Sequence, residues 1–216
     1  MIDLDFTVPA VQIADNCATP TLLFQLRAIN RTPESAVEHV ALSAQIRIEA
    51  ARREYAPHER ERLSELFGGA ADWDRALRGL LWTSVTVPIG GFTKECTIDL
   101  PIACSCDFEI AATKFLHGVE HGEIPLLWLF SGSIFFRNSE GELQIGQVAH
   151  HKEAGIRLPA ELWHSLMQRY YADKIWLRVE RDLFEEVYRY KRRKSLPSFD
   201  EALRDLLAAG AAEAPR

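Results

Sequence analysis

Cysteine is scarce in this chain, with four in 216 residues, and methionine scarcer still, with two. A domain of this size builds a core without cross-links, so Cys17, Cys96, Cys104 and Cys106 are expected to be thiols. No window approaches the roughly 18 uninterrupted apolar residues that a membrane-spanning helix needs. The longest apolar tract, Ile124 to Phe136, is broken by Ser131-Gly132-Ser133. The opening MIDLDFTVPAV lacks the cationic start and long apolar run of a secretory signal. These absences together predict a cytoplasmic protein with no transmembrane segment. Also missing are G-x-G-x-x-G, a Walker loop, the G-x-S-x-G elbow and H-E-x-x-H, so nucleotide, ester and metalloprotease chemistry have no marker here. With 25 basic against 31 acidic residues the net charge is −6, which works against attraction to phosphate backbones. Nucleic acid is therefore not an expected partner.

What is present is alternation. Leu4, Phe6 and Val8 fall on one side of residues 2–8, with Asp3, Asp5 and Thr7 on the other, as in a half-buried strand. Thr21 to Asn30 repeats the pattern with Leu22, Phe24, Leu26 and Ala28, and Glu38 to Ala50 with Val40, Leu42, Ala44, Ile46 and Ile48. The period changes at Ala56: Pro57 suits a first helical position, and Trp73, Leu77, Leu80 and Leu81 have helical spacing. A helical insertion over about 57–82 follows. Alternation resumes over 85–89 and 96–102, and Gly90-Gly91 between them predicts a hairpin. Ile124 to Phe136 is apolar at nearly every position, which predicts a central strand covered on both faces, with a bulge or bend at Ser131-Gly132-Ser133. Asp107 to Leu116 fits either period. The turn signal His121-Gly122-Glu123 favours a strand, hairpin partner of the central one. Leu143, Ile145 and Val148 suggest one more strand.

From Pro159 the pattern is helical, with stripes at Leu162, Trp163, Leu166, Met167 and Tyr170 and at Leu183, Phe184, Val187 and Tyr188. Ile175 to Val179 fits a short strand between them. A last helix opens at Ser198 and Glu201, spaced as a capping box. The fold class expected is α+β, mainly β: an antiparallel Ig-like β-sandwich over 1–149, a C-terminal helical region over 150–209 packed on it, and a flexible tail at 210–216.

The sharpest cluster of reactive side chains is Cys104-x-Cys106 followed by His117-x3-His121. Two thiolates and two imidazoles can hold zinc or another transition metal tetrahedrally. On an unbroken strand, however, Cys104 and Cys106 face one side and His117 the other. Buried or idle thiols are the plainer account, and no cofactor is expected. His150-His151 lies in a loop with no nucleophile or carboxylate identifiable nearby. Glu161-x-x-His164 has the helical spacing of di-iron bundles, which need a second such motif. The run Arg189, Lys191, Arg192, Arg193, Lys194 ends a helix, where cations meet the negative end of the helix dipole, and it could otherwise dock on an acidic partner.

The segments PTLLFQLRAIN, VALSAQIRIEAARREYAPHERERLSELFG, LLWT, DLPIACSCDFEIAATKF with GEIPLLWLFSGSIFF, and LPAELWHSLMQRYY cover nearly the whole chain in order. In them the chain resembles an uncharacterised bacterial family of unknown function whose members tend to be encoded beside nickel-iron hydrogenase genes. The resemblance implies an accessory role in hydrogenase assembly or activity and assigns no catalytic residue. The expectation is a non-enzymatic accessory or interaction protein, with a protein partner that the resemblance would place among hydrogenase components. A metal-binding protein using Cys104, Cys106, His117 and His121, or an enzyme with an unfamiliar site, are the alternatives. The sequence selects no oligomeric state.

Overall fold

Alternating burial on the strands produces two antiparallel sheets whose apolar faces meet. The computed structural model describes residues 2–69, 73–138, 140–172 and 175–213. One sheet has the order β1-β2-β5, from β1 (Leu4–Ile13), β2 (Thr21–Asn30) and β5 (Glu95–Ala103). The other runs β4-β3-β6-β7, from β4 (Leu80–Ile89), β3 (Val37–Ile48), β6 (Glu123–Arg137) and β7 (Leu143–Gln147). A further strand, β8 (Glu153–Pro159), also pairs with β6. Phe24 of β2 meets Trp128 of β6 edge to face at 5.2 Å, and Phe6 of β1 lies 4.7 Å from Phe130. Edge-to-face and offset pairs of this kind suit the ring quadrupoles as well as burying area. Around them Leu22, Leu26, Leu42, Ile46, Leu126 and Ile134 make one core.

β6 is central, as its composition predicts, but only one of its faces is fully buried. Ile124, Leu126, Trp128, Phe130 and Ile134 point into the core, while Leu127, Leu129 and Phe135 are half-buried and Ser131 is exposed. The small residues at 131–133 make no bulge against β3, because the register runs evenly from Leu42↔Gly132 through Ser43↔Ser131 to Ala44↔Phe130. Gly132 has φ +142°, and a Cβ there would stand 2.1 Å from the Ala41 carbonyl oxygen, so only glycine permits the two backbones to approach. The change at this point is on the opposite edge. β8 pairs with Glu123–Leu129 and β7 with Ser133–Arg137. Between them the Phe130 N–H donates to the Lys152 carbonyl and the Val148 N–H to that of Gly132.

Several expectations are corrected. β4 and β5 do not form a hairpin: β4 pairs with β3 and β5 with β2, so the chain crosses from one sheet to the other at Gly90-Gly91. The insertion contains three short helices, α1 (Pro57–Arg62), α2 (Ser64–Phe67) and α3 (Trp73–Ala76), and Leu80 and Leu81 already belong to β4. Most consequential, residues 107–116 are not a strand. Their second half enters α4 (Ala111–Gly118), which buries Ala112, Phe115 and Leu116 on one face. Asp107 prepares its start, its Oδ1 accepting from the Glu109 N–H at 2.9 Å. β8 is additional to the expected strands, and Ile175 to Val179 forms no strand.

The chain divides into two compact units, Met1–Ile175 and Trp176–Arg216. The first runs beyond the boundary expected at 149, through β8 and α5 (Ala160–Tyr171). The second holds α6 (Arg181–Arg193) and α7 (Phe199–Glu213). α6 closes in a Schellman motif: Ser195 at φ 54° is the left-handed residue, its N–H donates to Arg192 and that of Leu196 to Lys191. Ser198 Oγ accepts from the Glu201 N–H at 3.1 Å, as the capping-box spacing predicts. α7 continues through Gly210 to Glu213, where a frayed tail is expected from sequence, and 214–216 lie outside the described residues. No helix among the described residues is long and apolar enough to cross a membrane.

Candidate functional site

The helix at 111–118 changes what its neighbours can do. Thr113 and His117 are four residues apart on α4, and Trp163, His164, Met167, Gln168 and Tyr171 share one side of α5. With Cys106 and Phe108 from the loop before α4, they line a cavity of about 150 Å³. Phe108 stands edge-on to the His117 ring at 4.7 Å. His164 Nε2 lies 2.7 Å from the Val119 carbonyl oxygen, which can only accept, so the imidazole proton sits on Nε2. Trp163 is 1% exposed, and its indole N–H has no acceptor among the described residues.

No Asp, Glu, Lys or Arg is among the described residues lining the cavity. Burial, then the Arg62 charge and His164, hold the His117 imidazole below its ordinary value. Burial alone pushes the Cys106 thiol up, and burial followed by Cys106 and Cys104 raises the Tyr171 phenol. A cysteine nucleophile requires the opposite, a cation or helix terminus that stabilises thiolate. No Lys or Arg lines the cavity beside Cys106 to supply that charge.

Of the four residues expected as metal ligands, the fold sets Cys104 apart and gives His117 two neighbours, Cys106 in one cavity and His121 in an open dip. Cys106 and His117 line the same cavity, which the strand reading would have forbidden. Cys104 is buried in the core, its S–H donating to the Ile102 carbonyl at 3.5 Å, and burial pushes its thiol up to about 12. His121 does not line that cavity; its side chain is 83% exposed, with Nδ1 3.9 Å from Glu161. Among the described residues no group of three or more His, Cys, Asp or Glu side chains is arranged to hold a metal. Glu161 and His164 border one open dip together with Arg62, His117, Glu120 and His121, with His164 committed to Val119. His150 and His151 sit exposed in the β7–β8 turn, edge-on at 5.8 Å. Sequence reading named His164 only in the Glu161-x-x-His164 spacing and missed Trp163, Gln168 and Tyr171 as its companions. The signal was available: His164, Gln168 and Tyr171 fall at i, i+4 and i+7, a second stripe beside the apolar one.

A buried ion pair lies next to the segment that carries the Val119 carbonyl. Arg53 Nη2 reaches both carboxylate oxygens of Glu59 at 3.0 Å, with side chains 9% and 5% exposed. The same carboxylate accepts from the backbone N–H groups of Ala56 at 3.1 Å and Glu120 at 3.0 Å. Burial works to raise the Glu59 carboxyl, but those N–H groups and the Arg53 charge outweigh it and leave it below the usual value. The clip ties α1 to residues 119–121, whose Val119 carbonyl orients His164.

In the second unit the notable feature is surface. Trp176 is 79% exposed, Leu177 is open beside it, and Leu183, Phe184, Tyr188, Leu203 and Leu207 are exposed along the helices. α6 buries no residue, although Phe184 and Tyr188 pack against Phe199 of α7. The basic run is partly engaged here: Lys191 lies over Phe199, Arg192 over Tyr188, and Lys194 pairs with Asp205 at 3.3 Å.

A family model described as a family of unknown function, DUF6084, matches residues 1–215. The chain belongs to that family. DUF6084 carries no activity with it, so membership adds no site residue to those found from the geometry. No curated protein matches the sequence. One solved structure, described as the ApaA protein from Bordetella pertussis, is similar at 12% identity and a TM-score of 0.23. That likeness covers 73% of this chain and 93% of the other, and is too weak to bear on fold or function.

Proposed function

We propose that this protein is a non-enzymatic interaction protein that docks on a partner protein through its second unit. The observation that carries the reading is the exposed apolar set of Leu183, Phe184 and Tyr188 on α6, a helix that buries nothing, with Trp176 and Leu177 exposed in the segment leading into it. Two helices of this length cannot enclose their own apolar stripes, and amphipathic helices with unburied i, i+3, i+4 faces are what apolar grooves bind. The partner chemistry that fits is an apolar groove with acidic rims. Exposed Trp176 and Leu177 would act as anchors, and Arg189 and Arg193 would meet the rim. Hydrogenase components are the first partners to try, on the family resemblance alone, and a cytoplasmic location belongs to the same proposal. The sandwich is read as Ig-like on the strand order β1-β2-β5 facing β4-β3-β6-β7, a scaffold that commonly presents binding elements.

The test is co-purification of the full chain from native cells. Trp176→Ala with Leu177→Asp removes exposed anchors without touching a core, so the partner should be lost. Leu143→Asp with Ile145→Asp, also exposed apolar residues but on β7, should retain it. Recovery as a lone chain, or equal capture by both variants, rejects the proposal.

A further inference from the structure

We infer that residues 175–179 are a strand lacking a sheet, and that they pair antiparallel with the free edge of β7 in a second copy of this chain, reciprocally, as a closed dimer. The dimer stands without the docking proposal. Its regulatory consequence rests on that proposal, because Trp176 and Leu177 serve both.

The donor segment has the composition of a strand. Ile175, Leu177 and Val179 alternate with Trp176 and Arg178, and four of the five residues are β-branched, aromatic or aliphatic. Yet the segment belongs to no helix or strand, and none of its backbone N–H or C=O groups bonds another described residue. Ile175, Trp176 and Leu177 are 61%, 79% and 70% exposed. A ladder would use those free backbone groups and cover those side chains together.

The acceptor is the outer edge of β7. That strand ends its sheet, with β6 on one side and no strand among the described residues on the other. Leu143 and Ile145 are exposed at alternate positions along it. Its five residues match the length of the segment. The other strands with a free side are poorer templates: β1, β4, β5 and β8 contain Pro9, Pro88, Pro101 and Pro159, each of which removes a ladder donor. β7 contains no proline.

Charge selects the register. An antiparallel pairing that sets Ile175 beside Ile145 also sets Leu177 beside Leu143 and Arg178 beside Glu142, so apolar meets apolar and cation meets carboxylate. Glu142 is bonded by the neutral Asn138 amide at 3.1 Å and has no cation beside it among the described residues. Every copy carries one donor segment and one acceptor edge, so a two-fold pair satisfies both and closes. β7 admits only a short joint, and closure occupies it in both copies. While the joints hold, Trp176 and Leu177 are covered, and a partner protein must compete with the second copy for them.

The experiment is sedimentation equilibrium of the full chain from about 1 to 300 μM, a range that brackets micromolar association. The natural chain should pass from monomer to dimer and stop there. Arg178→Glu and Glu142→Arg, both surface changes, each oppose like charges at two joints and should weaken the dimer about tenfold. The two together restore opposite charges and should return the dimer constant to within about threefold of the natural one. A general loss of fold or of surface charge would not be rescued in this way. Leu143→Asp with Ile145→Asp should be monomeric throughout and still capture the partner. A natural chain that stays monomeric, oligomers that grow past the dimer, single reversals without effect, or a combined variant no better than its singles would overturn the inference. A monomeric chain that captures a partner sinks the dimer alone, whereas a dimer that captures none sinks the docking proposal alone.

Discussion

Replacing Glu59 with alanine should destabilise the first unit by about 3–5 kcal/mol, the range expected when one partner of a buried ion pair is removed. The magnitude follows from what the carboxylate holds. Its loss leaves the Ala56 and Glu120 N–H groups without their acceptor, at about 1–3 kcal/mol for each group that water cannot reach. It also leaves the Arg53 guanidinium buried beside Tyr55, where its Nη1 already lacks a partner among the described residues. Glu59→Gln should cost less, since an amide oxygen can still accept from one of the N–H groups. Glu59→Leu combined with Arg53→Met should recover much of the loss, because it removes both charges together. Urea unfolding at pH 7 measures all of these, read as midpoint shifts at constant slope. The pH dependence has a definite sign. A carboxyl held below its usual value contributes stability above the unfolded-state value of about 4.5, and that contribution disappears as pH falls through the lower, folded-state value. The gap between the natural chain and Glu59→Gln should therefore be constant from pH 6 to 8 and close below about 4.5. A cost under about 1 kcal/mol for Glu59→Ala, or a double variant as unstable as the sum of its singles, would refute the reasoning.

Two other positions give sharp outcomes. Gly132→Ala places a Cβ 2.1 Å from the Ala41 oxygen at φ +142°, so it should cost about 3 kcal/mol or more, seen as lost soluble yield or a large fall in Tm. Gly122→Ala, at φ +78° with nothing within 4 Å, should cost only about 1–2 kcal/mol. Cys104, with a thiol pushed up from 9.0 to about 12, should have about a thousandth of the ordinary thiolate fraction at pH 8. Timed iodoacetamide labelling read by mass spectrometry should show it modified only after unfolding, and labelling of Cys104 in the folded chain at the rate of Cys17 would contradict its burial.

The strands whose two faces differ in polarity were legible. β2 begins and ends where the alternation does, at Thr21 and Asn30, because one face meets Trp128 and the other meets water. Sheet membership was not legible. A local turn signal such as Gly90-Gly91 reads alike whether the next strand pairs back or crosses to the facing sheet, and only long-range pairing with β2 and β3 decides it. Residues 107–116 failed for a related reason: Phe108, Ala111, Ala112, Phe115 and Leu116 satisfy a helical face, but the pairing assumed for β6 displaced that reading. β6 takes β3, β7 and β8 instead. β8 escaped notice because Gly155 and Pro159 dilute its short alternation of Ala154, Ile156 and Leu158. The same error concealed the site. Cys106 and His117 were singled out by residue type, yet they meet only if the chain between them coils, and their companions on α5 looked like packing.

The handover on β6 has a consequence for how this protein coexists with copies of itself. An uninterrupted outer strand would offer a long ladder of free N–H and C=O groups to any extended chain nearby. Here that border is made of two short pieces, β7 and β8, separated by the turn at Val148–Lys152. Lys152 is pinned at that turn by Asp3 and Asp5, at 2.8 and 2.7 Å, which fastens the corner to β1 in the opposite sheet. A foreign segment seeking to zip along this side would find its template interrupted midway, which works against fibrous self-association.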